Sequence, residues 1–122
     1  MPKHILIVDD AISMRGLVGM TLRNAGYTVT EASDGQDALG KLGAARFNLI
    51  ISDLNMPRLD GIGLIKDIKA MPAHKFTPII MLTTESQDGK KQEGRAAGAK
   101  AWLVKPFKPE TLVDVVKKVI GV

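Results

Sequence analysis

The sequence contains no cysteine and few aromatic residues, namely one Trp, one Tyr and three Phe. Without cysteine the chain can form neither disulfides nor thiolate metal sites, so packing must stabilise it. Any metal ion must then be held by oxygen or histidine ligands. The two histidines, His4 and His74, lie far apart in the sequence, which argues against a histidine-based site.

Long apolar runs and clusters of basic residues are also missing. No apolar run approaches the roughly 18 residues needed to span a bilayer, and the N-terminus leaves no room for a signal peptide. We therefore expect a cytoplasmic protein without a membrane segment. The net charge is +4, but the lysines and arginines are scattered along the 122 residues, which argues against nucleic-acid binding. The length predicts a single domain over residues 1–122.

Apolar segments and helical periodicity alternate along the chain. Buried or alternating apolar patterns predict strands over residues 4–8, 29–32, 48–53, 78–82 and 101–104. Apolar spacing and end signals predict helices over 13–25, after a Ser33–Gln36 capping box, over 60–70, over 87–97 and from Pro109. Because no tight hairpin joins neighbouring strands, the sequence predicts an α/β fold with a doubly wound, five-stranded parallel sheet.

Polar side chains follow the apolar strands at their carboxyl ends, where ligands bind in such sheets. They are Asp9 and Asp10 after the first strand, Asp53 at the end of the third, Thr83 after the fourth and Lys105 after the fifth. Each residue alone has an ordinary explanation, such as an Asp that caps a turn. Their convergence at one edge favours a functional site.

Three carboxylates and one lysine leave this edge with a net charge of minus two, which a divalent cation would balance. Oxygen ligands favour Mg²⁺. A carboxylate such as Asp53 can act as a nucleophile towards phosphorus and form an acyl phosphate. Lys105 can neutralise the phosphoryl oxygens and the Thr83 hydroxyl can bind one of them.

Four motifs carry a family resemblance: Ile7-Val8-Asp9-Asp10; Ile51 to Pro57 followed by Asp60-Gly61; Met81-Leu82-Thr83; and Val104-Lys105-Pro106-Phe107. Together they resemble the receiver domain of two-component response regulators over essentially the whole chain, and in particular stand-alone, CheY-like chemotaxis regulators with no output domain. The resemblance implies a flavodoxin-like (βα)5 fold with strand order 2-1-3-4-5.

The resemblance also implies roles for the site residues. Asp53 is the expected phosphoacceptor, and a CheA-like histidine kinase is the expected donor of the phosphoryl group. Asp10, Asp53 and the backbone carbonyl of Asn55 are expected to ligate Mg²⁺, with Asp9 acting largely through a bound water. Thr83 is the expected switch hydroxyl, and Lys105 is expected to pair with the phosphoryl group. The peptide bond between Lys105 and Pro106 is expected to be cis. The protein would catalyse only its own phosphorylation and dephosphorylation.

The output surface implied by the resemblance comprises the fourth helix, fifth strand and fifth helix. Trp102 stands at the aromatic switch position, and basic residues on these elements predict an acidic target, with a flagellar motor switch as one candidate: Lys90, Lys91, Arg95, Lys117 and Lys118. The first helix near Met14 and Arg15 is a candidate docking site for the kinase. Asn55 and Glu85 are expected to tune hydrolysis towards a short-lived signal, in a monomeric protein.

Other functions on the same fold stay open at this point. A flavodoxin would need a hydroxyl- and glycine-rich loop where this chain has Asp9-Asp10-Ala11-Ile12. An aspartate-nucleophile phosphatase would carry a second acid at position 55, which is Asn. A phosphate sink, a phosphorelay intermediate and a receiver that works without phosphorylation are the alternatives within the family.

Overall fold

The computed structural model describes residues 3–54, 61–83, 95–105 and 107–120. One parallel sheet contains β1 (His4–Val8), β2 (Thr28–Ala32), β3 (Leu49–Asp53), β4 (Ile79–Thr83) and β5 (Ala101–Val104). The strand order is β2-β1-β3-β4-β5. The predicted parallel sheet and its flavodoxin-like order are therefore confirmed.

Helices connect the strands and lie close to their predicted positions. They are α1 (Ile12–Asn24), α2 (Gly35–Ala44), α3 (Gly61–Lys69), α4 with helical residues 95–97, and α5 (Pro109–Ile120). The remainder of the predicted fourth helix, residues 87–94, lies outside the described residues. In the parts of the chain that are described, no helix is both long and apolar enough to cross a membrane.

The central strands carry apolar side chains on both faces because helices cover the sheet on both sides. On one face Leu6 and Ile50 join the apolar residues of α2 and α3. On the other face Ile7 and Ile51, which are register partners, join those of α1 and α5. Full burial of one such side chain contributes about 1.5–3 kcal/mol, so this double core holds the strand ends firmly in place.

The start of α2 differs from its prediction. Asp34, not Ser33, is the N-cap, and its side chain accepts the Asp37 N–H at 2.8 Å. Asp37 in turn accepts the Ser33 N–H at 3.0 Å, which is the main reason that the pKa of its carboxyl is lowered. The predicted Ser33–Gln36 capping box is therefore wrong by one residue, because carboxylates at the same spacing satisfy the free N–H groups.

Both histidines have structural hydrogen-bond partners. His4 Nε2 lies 2.7 Å from Thr30 Oγ1, between the paired strands β1 and β2. His74 is buried, and its Nε2 lies 3.0 Å from the Leu42 carbonyl oxygen near the end of α2. Neither contact involves the carboxyl edge of the sheet.

Candidate acidic site

Backbone hydrogen bonds between strands place the predicted site residues at one edge of the sheet. The Asp9 N–H donates to the Ala32 carbonyl at 3.2 Å, immediately after β1. Asp53 pairs in register with Leu82 near the end of β4. The Lys105 N–H donates to the Thr83 carbonyl, so the residue after β5 is joined to the last residue of β4.

The three predicted carboxylates come together at this edge. Each contributes one oxygen to a group in which all atoms lie within 4.8 Å of one another: Asp9, Asp10 and Asp53. Asp9 and Asp53 are buried, whereas Asp10 is exposed. Asp9 Oδ1 also accepts the Ala11 N–H at 2.9 Å, which fixes that carboxylate within the loop before α1.

Lys105 supplies the cation of the site. Its Nζ atom lies 3.3 Å from Asp9 Oδ2 and 3.2 Å from Asp53 Oδ1. Its side chain is only 10% exposed, so the ammonium group faces the carboxylates with little screening by solvent. The predicted lysine therefore forms ion pairs with two of the three predicted acids, Asp9 and Asp53.

Burial controls the ionisation of Asp53. Loss of solvent around its carboxyl is the main cause that raises its pKa, and the negative charge of Asp9 acts in the same direction. The positive charge of Lys105 opposes both. The Asp53 carboxylate is thus an incompletely compensated buried charge, which a bound cation would stabilise.

This donor set fits Mg²⁺. Its ligand atoms are all carboxylate oxygens, which are the ligands that hard divalent cations prefer, and nitrogen or sulfur ligands are missing from the group. No second group of three acidic or histidine side chains suited to a metal occurs within the described ranges. Asn55, predicted to add a backbone carbonyl, lies outside them.

Thr83 is buried at the end of β4, in register with Val104 of β5. The sheet thus brings its backbone beside Lys105 and close to Asp53 on the neighbouring strand β3. Glu85, with its predicted role in hydrolysis, and Pro106, with its predicted cis bond, lie outside the described residues.

The structure describes only part of the predicted output surface. Arg95, Lys117 and Lys118 are exposed on α4 and α5, whereas Lys90 and Lys91 lie outside the described residues. Trp102 is half-buried against the apolar cluster that also contacts Ala97 and Ala99. Its indole N–H is buried and has no hydrogen-bond partner among the residues that the structure describes.

Arg15 has contacts that sequence reasoning missed. The sequence predicts a kinase docking site on α1 near this residue, and in the structure its Nη1 donates to the Asp9 carbonyl oxygen at 2.7 Å. Its Nε donates to Glu31 Oε1 at 3.3 Å. No local signal indicates this arrangement, because Glu31 lies on β2. The large apolar side chains that α1 exposes are instead Ile12, Leu17 and Met20.

Known proteins resemble this chain over nearly its whole length. The response regulator receiver domain model matches residues 5–117. Chemotaxis protein CheY-3 of Vibrio cholerae is 40% identical over 116 residues, which cover 94% of this chain and 89% of that protein. The solved structure of V. cholerae chemotaxis protein CheY4 has 51% identity and a TM-score of 0.95, over 98% of this chain and 99% of the other.

A third relative was solved with a metal ion. The receiver domain of the sensor histidine kinase PA1611 from Pseudomonas aeruginosa carries magnesium coordinated in its active site cleft. It is 31% identical to this chain, with a TM-score of 0.91 and 100% coverage of both chains.

Proposed function

Because the chain belongs to the response regulator receiver family, we propose that it is a signalling switch in which Asp53 accepts a phosphoryl group from a histidine kinase. Receivers of the CheY type accept phosphoryl groups from such kinases, bind Mg²⁺ in an acidic pocket and bind target proteins. One observation carries the assignment of Asp53: its buried carboxylate lies 3.2 Å from the Lys105 ammonium, within the three-acid cluster.

In the proposed transfer, a carboxylate oxygen of Asp53 attacks the phosphorus of a phosphohistidine. A P–O bond forms and the P–N bond breaks, and the electron pair of that bond returns to the imidazole nitrogen, which then takes up a proton. The product is an acyl phosphate. Lys105 would stabilise the transferring group because its ammonium already faces the Asp53 carboxylate.

Asp10 and Asp53 would hold Mg²⁺ directly, together with the backbone carbonyl of Asn55. Asp9 would act largely through a bound water, since Ala11 and Lys105 already donate hydrogen bonds to its two carboxylate oxygens. When bound, Mg²⁺ supplies positive charge for the phosphoryl oxygens.

Phosphorylation would change the output surface through β4 and β5. The added phosphoryl group brings close to two negative charges to the carboxyl edge. Thr83 would bind one of its oxygens and Lys105 would pair with it, which favours the active state of an existing equilibrium. Trp102 lies beside Met81 on the same strand pair and could relay this change.

The target would carry acidic residues, because Arg95, Lys117 and Lys118 expose positive charge on α4 and α5. Lys90 and Lys91 would extend this surface, and a flagellar motor switch protein is the candidate target. The kinase would dock on α1 near Met14 and Arg15. The same helix exposes apolar area at Ile12, Leu17 and Met20.

The remaining parts of the proposal rest on the sequence. They are a monomeric, single-domain protein in the cytoplasm, a role in chemotaxis, and a short-lived acyl phosphate whose hydrolysis is tuned by Asn55 and Glu85. The protein would catalyse only its own phosphorylation and dephosphorylation.

The deciding experiment uses a small acyl phosphate as donor. The protein is incubated with acetyl phosphate and Mg²⁺, and its intact mass is followed over time. We expect one phosphoryl adduct on the parent protein, none on Asp53→Asn, and one on the control Asp67→Asn, which changes an exposed carboxylate of α3. An unmodified parent protein, or an adduct on the Asp53 variant, would overturn the assignment.

A further inference from the structure

The loop that carries the acid pair is held by an arginine outside the acid cluster. The Asp9 N–H, Oδ1 and Oδ2 are engaged by Ala32, Ala11 and Lys105 respectively. The Asp9 carbonyl oxygen is the remaining polar atom of that residue, and it accepts a 2.7 Å hydrogen bond from Arg15 Nη1. Arg15 therefore completes the set of contacts that fixes Asp9.

The guanidinium of Arg15 is itself held in place. Its Nε donates to Glu31 Oε1 at 3.3 Å, and its side chain is only 16% exposed. The other carboxylate oxygen of Glu31 accepts from Arg23 at 3.2 Å. A Cβ atom at Gly19 would lie 3.3 Å from Arg23 and 3.4 Å from Glu31, so α1 offers just enough space for this ion pair.

We propose that Arg15 is a positioning residue for the metal-ligating acids, an inference that rests on the proposed function. The Asp9 carbonyl shares a planar peptide unit with the Asp10 nitrogen. A hydrogen bond to that carbonyl therefore orients the backbone that carries Asp10. Within the described part of the chain no side chain hydrogen-bonds the Asp10 carboxylate, so its direction depends on this backbone.

Geometry, rather than charge, is the contribution of Arg15. Arg15 shares Glu31 with Arg23, whose positive charge stays beside that carboxylate when Arg15 is replaced, whereas only the flat guanidinium of Arg15 engages Glu31 and the Asp9 carbonyl at once. A lysine at this position would keep the charge but lose the fixed, two-armed geometry. Arg15→Lys and Arg15→Gln should therefore weaken the site in the same way.

The test compares Arg15→Gln and Arg15→Lys with Arg23→Gln. Arg23→Gln also removes one positive charge and one contact to Glu31, but Arg23 touches no member of the acid cluster. Mg²⁺ affinity is measured by calorimetry on the metal-free proteins. Both Arg15 variants should bind about tenfold more weakly, as is typical when a group that orients a metal ligand is removed. Arg23→Gln should stay within about twofold of the parent.

Two further readouts separate positioning from general destabilisation. In the metal-free Arg15 variants the amide resonances of Asp10 and Ala11 should shift, whereas those of the distant α3 should not. At saturating Mg²⁺ the rate of phosphorylation by acetyl phosphate should recover towards that of the parent protein.

Equal Mg²⁺ affinities of the parent and the Arg15 variants would overturn the positioning role, as would a loss that Arg23→Gln shares in full. A parent protein that binds no Mg²⁺ would overturn it as well. The affinities do not depend on phosphoryl transfer. A parent that binds Mg²⁺ but acquires no adduct would therefore refute the proposed function alone.

Discussion

The Lys105 ammonium lies 3.2 Å from one carboxylate oxygen of Asp53, so the proposed phosphoacceptor is paired with a cation that follows β5, two strands away in the sheet. The same ammonium lies 3.3 Å from Asp9. One lysine thus lies between two buried acids.

Replacement of Lys105 by Met should destabilise the metal-free protein. The variant leaves Asp9 and Asp53 buried without their shared cation, and breaking a buried ion pair by removing one partner costs about 3 kcal/mol or more. Urea unfolding in EDTA measures this loss, and added Mg²⁺ should restore part of it. Lys108→Met removes an exposed lysine and should change the free energy of unfolding by less than about 0.5 kcal/mol.

Acidification should reduce the stability difference between the parent and Asp53→Asn in the absence of metal. Because the pKa of Asp53 is raised in the folded protein, the folded state binds this proton more tightly than the unfolded state does. The ionised carboxylate therefore lowers stability at neutral pH, and that penalty disappears as the pH falls through the folded pKa towards the unfolded value of about 3.9. The penalty is measured by comparing the urea unfolding midpoints of the parent and Asp53→Asn from pH 7 to pH 4 in EDTA.

In that titration Asp53→Asn should be the more stable protein at neutral pH, and the two curves should converge in acid. A constant difference between the two proteins would contradict the raised pKa. Saturating Mg²⁺ should remove the advantage of the variant, because the ion favours the charged form of Asp53.

Trp102→Phe should be tolerated unusually well. Within the described part of the chain the buried indole N–H has no hydrogen-bond partner, and an unpaired buried group costs about 1–3 kcal/mol. Phenylalanine removes the unpaired donor but also some packing, so the free energy of unfolding should change by less than about 1 kcal/mol. Chemical denaturation followed by circular dichroism measures this, since the variant lacks the only Trp. A loss of about 3 kcal/mol is typical when a large side chain is truncated in a well-packed core, and it would contradict the expected tolerance of Trp102→Phe.

Asp34→Ala should destabilise α2 by about 1 kcal/mol, because it removes the side chain that accepts the Asp37 N–H. Ser33→Ala should cost less, since its hydroxyl makes only a 3.4 Å contact to Asp37 and its backbone N–H is kept. Thermal unfolding of the two variants gives the comparison. A larger loss for Ser33→Ala would favour the cap predicted from sequence.

The strands and their polar ends could be predicted because both follow from local patterns. Apolar runs of strand length precede Asp9, Asp53 and Thr83, and the carboxyl ends of parallel strands share an edge. The α2 cap could not be chosen in this way, because Ser33–Gln36 and Asp34–Asp37 have the same spacing. The backbone of Asp34, which is extended, and the Ser33 N–H decide between them.

The contacts of Arg15 could not be predicted from the sequence for a different reason. Its partners lie in different segments, Asp9 in the loop after β1 and Glu31 on β2, and periodicity along α1 carries no information about side chains on β2. Apolar spacing predicts which face of a helix is buried, but the partner of a buried guanidinium depends on the register of β1 with β2, in which Ile7 pairs with Glu31.

The ion pair between Lys105 and Asp9 joins residues 96 positions apart in the sequence. During synthesis the ribosome therefore produces all three acids long before the lysine that neutralises them. Nascent chains that end before β5 would carry Asp9 and Asp53 without the ammonium group that pairs with both. The last quarter of translation thus supplies the only cation that, among the described residues, forms ion pairs with the buried acids of this edge.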